Sequence, residues 1–423
     1  MNQILQIIKD FEGVCYCGRT HTTTIKDVVI DYGIVTKVGE ILSRNGFTKN
    51  LLLVADKNTL RAADGILDGL KDFTLQQKIY DNLRLATMTE VEEIEDLIKG
   101  KDISVISVGT GSLNDICRLA CARQNKLLCI FATAPSMDGF ASYSAPIVKD
   151  GFKKSYPAKS PEVIIGDTKI LAAAPGSLKA AGFGDMMAKY VGLADWKISS
   201  IVSGEDYCEM VAALTRTAAD NLLDMADRVQ KNDPEVAGKI FSSLLLTGIG
   251  MSFMQNSRPA SGSEHVIAHL IECLELRKNK LPNLHGEDVG VATLYMLNYL
   301  QKAAKNRVIS AHKEQLDLDG ILRFYGNMSE QVKEYNTPTT ILDGIDPQTL
   351  EEKWQDIRDV ILELPKPEKV LAAMRQAGCK ITVEDIKKPQ KLFDDAVKYS
   401  PYMRRRLTLL RLSDMIEYGD SPL

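Results

Sequence analysis

ISVISVGTGSLND, residues 103–115, is the stretch that decides how this chain is read. Its first seven residues form a short, nearly unbroken apolar run. Such a run suits a strand buried on both faces of a parallel sheet, and a helix over 112–124 follows. Between them stand Gly109 and Gly111, residues that allow positive φ or close approach of backbone to a ligand. The helix start beyond them offers free N–H groups and the positive end of a dipole, which suits a phosphate. This turn is therefore a candidate for holding a dinucleotide diphosphate. The third glycine of the GxGxxG spacing is absent, so a plain strand-to-helix turn capped by Ser112 or Asp115 stands beside that reading.

The same alternation extends outward. Strands are expected at 26–31, 51–56 (LLLVAD), 103–109 and 127–133 (LLCIFAT), with helices at 33–45, 57–70 and 112–124. Strands alternating with helices give a parallel sheet covered on its faces. From about residue 168 the pattern turns helical, with helices expected at 185–200, 205–230, 234–256, 262–277, 286–304, 311–325, 347–362, 366–376 and 402–417. The expected organisation is an α/β segment over 1–167 and an all-helical segment over 168–423.

Ligands of open α/β sheets bind outside the carboxyl ends of the strands. Asp56 ends one strand and either receives ribose hydroxyls or caps the next helix; Lys57 beside it leaves NAD and NADP undistinguished. Thr133-Ala134-Pro135-Ser136-Met137-Asp138-Gly139-Phe140-Ala141-Ser142 follows another. Thr133 and Ser136 can hydrogen-bond a nicotinamide or diphosphate and Asp138 a substrate hydroxyl, unless the segment is an ordinary polar loop.

Three of the chain's five histidines fall at His265, His269 and His285. His265 and His269, four apart on an expected helix, project from one face, and His285 opens the next helix. Imidazole is the commonest metal ligand, and a carbonyl-polarising metal needs two or three such ligands and an open position. Glu264 precedes the first histidine, so the spacing is not HExxH. Asp185, in Gly182-Phe183-Gly184-Asp185 at the expected start of a helix, is the candidate carboxylate ligand or else a helix cap.

The 423 residues, 45% hydrophobic and 26% charged, suit two globular domains. A net charge of -4 argues against a nucleic-acid binder. The N-terminus does not read as a secretory signal, and no apolar run of membrane-spanning length is evident. The eight cysteines are scattered and read as reduced thiols of a cytoplasmic protein; Cys15 and Cys17 have no second pair at zinc-site spacing.

GTGSLND, TAPSMDGFAS, AAGFGDMMAKY, SGSEHVIAHLIE and LHGEDVGVA occur here in the order found in sn-glycerol-1-phosphate dehydrogenases, and the chain resembles that family. The resemblance covers roughly residues 26–300, is closer to the bacterial branch, and lies within the superfamily of iron-containing alcohol dehydrogenases, glycerol dehydrogenase and dehydroquinate synthase. It implies a Rossmann-like dinucleotide domain followed by an all-α metal- and substrate-binding domain, with the active site in the cleft between them. It further implies Asp185, His265 and His285 as ligands of a divalent metal, zinc or nickel. Asp138 would contact substrate near the nicotinamide of NAD or NADP. Gly109, Gly111, Ser112 and Asp115 would take the diphosphate, Thr133 and Ser136 would lie along the dinucleotide, and Asp56 would take the adenosine ribose. His269 and Lys189 would face the acidic group of the substrate, and charge alone makes Arg258 and Lys189 candidates for its phosphate pole. The turn of the family reads GGGxxxD, and Thr110 replaces its central glycine.

The expected activity is metal-assisted hydride transfer between NAD(P)H and dihydroxyacetone phosphate by a cytoplasmic homo-oligomer, with no nucleic acid or membrane span involved. A glycerol dehydrogenase acting on an unphosphorylated polyol and a dehydroquinate-synthase-like cyclase are the alternatives. The cyclases carry glutamate where this chain has Asp185, and an asparagine-glycine lead-in where it has SGSE.

Overall fold

A computed structural model describes residues 3–419; residues 1, 2 and 420–423 of the expected segments lie outside the described residues. Six strands form one parallel sheet: β1 (Asp27–Asp31), β2 (Asn50–Asp56), β3 (Thr74–Tyr80), β4 (Ser104–Gly109), β5 (Leu128–Ala132) and β6 (Val163–Asp167). Their spatial order is β1-β6-β5-β4-β2-β3. The chain runs outward from β2 to β3, then returns across β2 to β4 and continues the other way. The reversal therefore falls between β2 and β4, whose carboxyl ends are Asp56 and Gly109. That crevice is where a doubly wound sheet binds its ligand.

Seven helices matter for the site. They are α1 (Gly111–Arg123), α2 (Gly176–Met187), α3 (Lys189–Ser203), α4 (Glu209–Leu223), α5 (Pro234–Met254), α6 (Ser263–Arg277) and α7 (His285–Ala303). Contrary to the expectation that no such run exists, helix α5 has the length and mean hydropathy, 1.4, of a spanning helix. Its apolar window is 83% buried within the protein, and Phe241, Leu245, Ile249 and Phe253 share a core with Ile130 and Ile164 of the sheet. A core helix passes the same test as a membrane span because both must be apolar nearly all round.

Several expected elements change. The single helix expected at 185–200 is two, α2 and α3, so Asp185 lies in the last turn of α2 rather than at a helix start. Helix 205–230 contracts to α4, and 311–325 contracts to Leu318–Tyr325, capped by Asp317. The expected helix 402–417 is a short helix, Leu409–Leu412, followed by a strand, Ile416–Tyr418, that pairs with Ile309–Ala311. Strand β3 escapes a reading based on apolar runs because Gln76, Gln77 and Lys78 occupy its centre. Hairpin Ser144–Lys149/Phe152–Pro157 and strand β6 are further additions to the expected elements.

Glycines fix how α2 meets its surroundings. A Cβ on Gly182 would overlap the Pro135 carbonyl oxygen, and one on Gly286 of α7 would overlap that of Ala181. Gly184 sits against the Gly286 carbonyl, where a Cβ would come within 2.7 Å. These are backbone-on-backbone contacts inside helices, so the GFGD glycines permit close packing and do not make a flexible helix end. Gly182→Ala should therefore lower stability by about 1–3 kcal/mol. Urea denaturation reads this directly, and an unchanged midpoint would contradict the contact.

Candidate active site

One cavity of about 790 Å³ joins the switch point of the sheet to the histidine-bearing helices. Asp56, Thr110, Gly111, Ser112, Asp115, Thr133, Ser136 and Asp138 line it from the sheet side. His265, His269, Glu272, His285 and Arg404 line it from the helical side. The volume lies in the range of cofactor sites.

At the glycine turn, Thr110 is the N-cap residue of α1 with φ -116°, an ordinary extended conformation, so threonine fits where the family pattern has glycine. The flanking glycines are required by space: a Cβ on Gly109 would strike Leu113 Cδ1, and one on Gly111 would press on Met137. Thr110 makes no side-chain cap bond to this helix, so its first N–H groups have no cap from Thr110, and Thr110, Gly111 and Ser112 line the cavity. The capping roles open to Ser112 and Asp115 in the sequence are not taken up. Asp115 instead pairs with buried Arg118 at 2.5 Å; burial raises the Asp115 pKa against that ion pair. Asp56 caps the helix after β2, its Oδ1 accepting from the Asn58 and Thr59 N–H groups and its Oδ2 from that of Leu83. It also lines the cavity, so the two readings of Asp56 are compatible. Lys57 is paired with Asp81.

The helical wall brings Asp185, His265 and His285 together, with one donor atom from each within 4.8 Å of the others. Asp185 Oδ1 is 3.3 Å from His265 Nε2, and its Oδ2 accepts the Asp138 N–H at 3.0 Å. Lys189, fully buried, donates to Asp138 Oδ2 at 2.7 Å, Asp185 Oδ1 at 2.8 Å and the Ala260 carbonyl at 3.1 Å. Burial alone would raise the Asp185 pKa, but the Lys189 ammonium and His265 outweigh it and hold the carboxyl well below its ordinary value. On His265, burial and Lys189 act downward, and the hydrogen bonds to Asp185 and Glu264 prevail, raising its pKa.

Two buried glutamates orient the imidazoles. Glu264 Oε1 lies 2.6 Å from His265 Nδ1 and also accepts the Gly262 N–H. Glu272 places Oε1 2.8 Å from His285 Nδ1, while its Oε2 takes His269 Nδ1 at 3.3 Å and Lys153 Nζ at 2.7 Å. A carboxylate on the far nitrogen of a histidine fixes the ring and raises its basicity toward a metal. Two imidazoles and a carboxylate, oriented in this way on the wall of an open cavity, fit a divalent ion with positions left for substrate. His269 is held well below its ordinary pKa, first by burial and then by Arg404, and so is a neutral donor or acceptor.

Neither candidate for the phosphate pole lines the cavity. Arg258 is spent on Glu205, Ser199 and the Leu407 carbonyl, and Lys189 on the two aspartates. Arg404 and Lys153 line it instead. Among the described residues, the Arg404 side chain has no hydrogen-bond or salt-bridge partner, and the sequence around it, PYMRRRL, carries no pattern that singles it out. Glu272 was more accessible to sequence reasoning: His265, His269 and Glu272 follow i, i+4, i+7 spacing on one helix face.

Residues 29–175 match the family model described as iron-containing alcohol dehydrogenase. The structure of NADH-dependent butanol dehydrogenase A from Thermotoga maritima is similar in fold, with a TM-score of 0.62, 15% identity and coverage of 95% of this chain and 93% of that one. The class is thus the dehydroquinate-synthase-like fold of iron-type alcohol dehydrogenases. Among curated relatives, the glycerol-1-phosphate dehydrogenase [NAD(P)+] of Bacillus licheniformis is 28% identical over 100% of this chain and 96% of its own length. That of Bacillus velezensis is 33% identical over 63% of this chain and 70% of its own. The chain belongs to the glycerol-1-phosphate dehydrogenase family.

Glu272→Gln should weaken divalent-metal binding about 10–100-fold by releasing His285. Calorimetric metal titration measures the effect, and wild-type affinity in the variant would show that Glu272 does not orient the ligand.

Proposed function

We propose that this chain is an NAD(P)-dependent sn-glycerol-1-phosphate dehydrogenase, moving hydride between NAD(P)H and carbon 2 of dihydroxyacetone phosphate. In this reading residues 1–167 carry the dinucleotide, and residues 168–423 carry the metal and most of the substrate contacts. The observation that carries it is one cavity lined both by the sheet's switch point and by His265 and His285, which cluster with buried Asp185. Family membership supports the substrate class.

The N-terminus of α1, with Gly109, Gly111 and Ser112, faces the diphosphate, and Asp56 accepts from the adenosine ribose. Thr133 and Ser136 hydrogen-bond along the dinucleotide, and Asp138, fixed by Lys189, accepts from a substrate hydroxyl. Asp185, His265 and His285 hold a zinc or nickel ion; nitrogen and oxygen donors suit both. When bound there, a divalent cation supplies Lewis-acid polarisation of the carbonyl, and the nicotinamide supplies the hydride. Arg404, Lys153 and His269 meet the phosphate, with Glu272 holding the last two. Asp185 and the SGSE sequence favour this reading over a cyclase. A cytoplasmic location is in keeping with eight free cysteines.

An assay with dihydroxyacetone phosphate, free dihydroxyacetone, both reduced nucleotides and a metal panel should show preference for the phosphorylated triose and yield the sn-1 enantiomer. Preference for the free triose would overturn the phosphate assignment. His265→Ala and Asp185→Ala should lower kcat roughly a thousandfold, equivalent to about 4 kcal/mol. Fluorescence titration should find nucleotide binding intact in both; its loss would count against this division of labour. Arg404→Ala should raise KM for the phosphorylated triose about 10–100-fold, the worth of a charged hydrogen bond, with kcat changed far less.

A further inference from the structure

A second cluster of ligand-type side chains lies away from the catalytic cavity and lines no part of it. Cys15, Cys17, His21 and Cys208 each offer one donor atom within 4.8 Å of the other three. Cys15 Sγ is 3.8 Å from Cys208 Sγ, Cys17 Sγ is 3.5 Å from His21 Nε2, and Cys208 Sγ is 3.8 Å from His21 Nε2. A tetrahedral ion with bonds of about 2.3 Å to sulfur and about 2.0–2.1 Å to nitrogen separates its sulfurs by ~3.8 Å and a sulfur from a nitrogen by ~3.5 Å. Two thiols joined as a disulfide would stand only about 2.05 Å apart. Cys15, His21 and Cys208 are buried, and Cys17 alone reaches the surface.

The local chain needs such a fastening. Cys15, Cys17 and His21 belong to a hairpin whose strands, Gly13–Val14 and Thr20–His21, pair at two positions only. Gly18, at φ +84°, turns it. A hairpin of that size is not stable alone. Its apolar side chains do not anchor it either, since Val14 and Tyr16 are 90% and 69% exposed. What ties it down is His21, stacked on Phe253, the Arg19 guanidinium, which pairs with Asp206 and donates to the Met254 carbonyl, and the sulfur cluster.

We propose that Cys15, Cys17, His21 and Cys208 form a closed structural zinc site of three thiolates and one imidazole. Such donors in a closed tetrahedron suit zinc. The ion joins the segment before β1 to the residue that caps α4. The same loop, 204–208, carries Glu205, whose carboxylate holds Arg258 just ahead of the SGSEH segment. The site therefore braces both the edge of the sheet and the approach to the catalytic helix α6. In the sequence these cysteines read as plain thiols because the fourth ligand lies 187 residues from His21. The C-x-C-x3-H spacing in 15–21 is the available signal.

The test uses full-length protein produced under reducing conditions and loaded with cobalt(II) in place of zinc. Thiolate ligation gives an intense near-ultraviolet charge-transfer band that the nitrogen- and oxygen-ligated catalytic site cannot give. Wild type and Asp185→Ala should both show this band, and Cys208→Ser should lose it. Elemental analysis of zinc-loaded protein should find two ions per wild-type chain and one in Cys208→Ser. His21→Cys should keep both, because four thiolates also hold zinc. Absence of the band from wild type overturns the proposal without touching the redox assignment, and so does an equal zinc content in wild type and Cys208→Ser. A Cys15–Cys208 disulfide found by mass spectrometry of unreduced protein overturns it as well. Should Cys208→Ser fail to fold, the wild-type cobalt spectrum decides alone.

Discussion

The buried ammonium of Lys189 is the interaction on which the site's arrangement depends. Its hydrogen bonds go to Asp138 from the sheet loop, Asp185 from α2 and the carbonyl of Ala260. A charge so deeply placed is tolerable only while its partners stay. Removing one partner of a buried pair commonly costs about 3–5 kcal/mol. Loop 133–142 and the end of α2 are therefore bound to a common cation, and the cavity-lining Asp138 keeps a fixed position relative to Asp185. The Asp138 N–H, bonded to Asp185 Oδ2, repeats the link through the backbone.

Around that centre the helical wall is built from paired acids and imidazoles. Glu264 and Glu272 each fix one ring nitrogen, so Nε2 of His265 lies beside Asp185 and the three candidate ligands cluster together. Glu272 also gathers His269 and Lys153, so one carboxylate sets the positions of a candidate metal ligand and of two further cavity-lining groups. Opposite it, the sheet presents the start of α1 without a side-chain cap from Thr110, at the place where the strand order reverses. Each wall alone is a common device. Their meeting in one cavity is what gives the chain its chemistry.

Much of this was legible in the sequence, for identifiable reasons. Strands β2, β4 and β5 are mostly apolar because both faces are covered, with Ser104 and Ser107 the polar residues of β4, and such runs stand out. The histidines stood out because the chain has so few. Strand β3, at the sheet edge, carries glutamines and a lysine, and its signal vanished with its burial. The misplacement of Asp185 has another cause. Glycines in GFGD read as a flexible boundary, whereas in the folded chain they are the contact surface of a helix, and only the neighbour reveals that. Arg258 and Lys189 stand out by charge, and charge says nothing about whether a nearby acid has already claimed the group. Arg404 sits more than a hundred residues beyond His285 and joins the site only through tertiary packing.

The glycine contact between α2 and α7 also bears on how such a molecule can diversify. Where two helices touch main chain to main chain, neither can rotate or shift to make room for a new side chain. The spacing between the carboxylate and imidazole of the cluster is then inherited from backbone packing and is closed to gradual adjustment. Cavity-lining side chains that stand outside the helices, such as Lys153 and Arg404, are not bound by that packing.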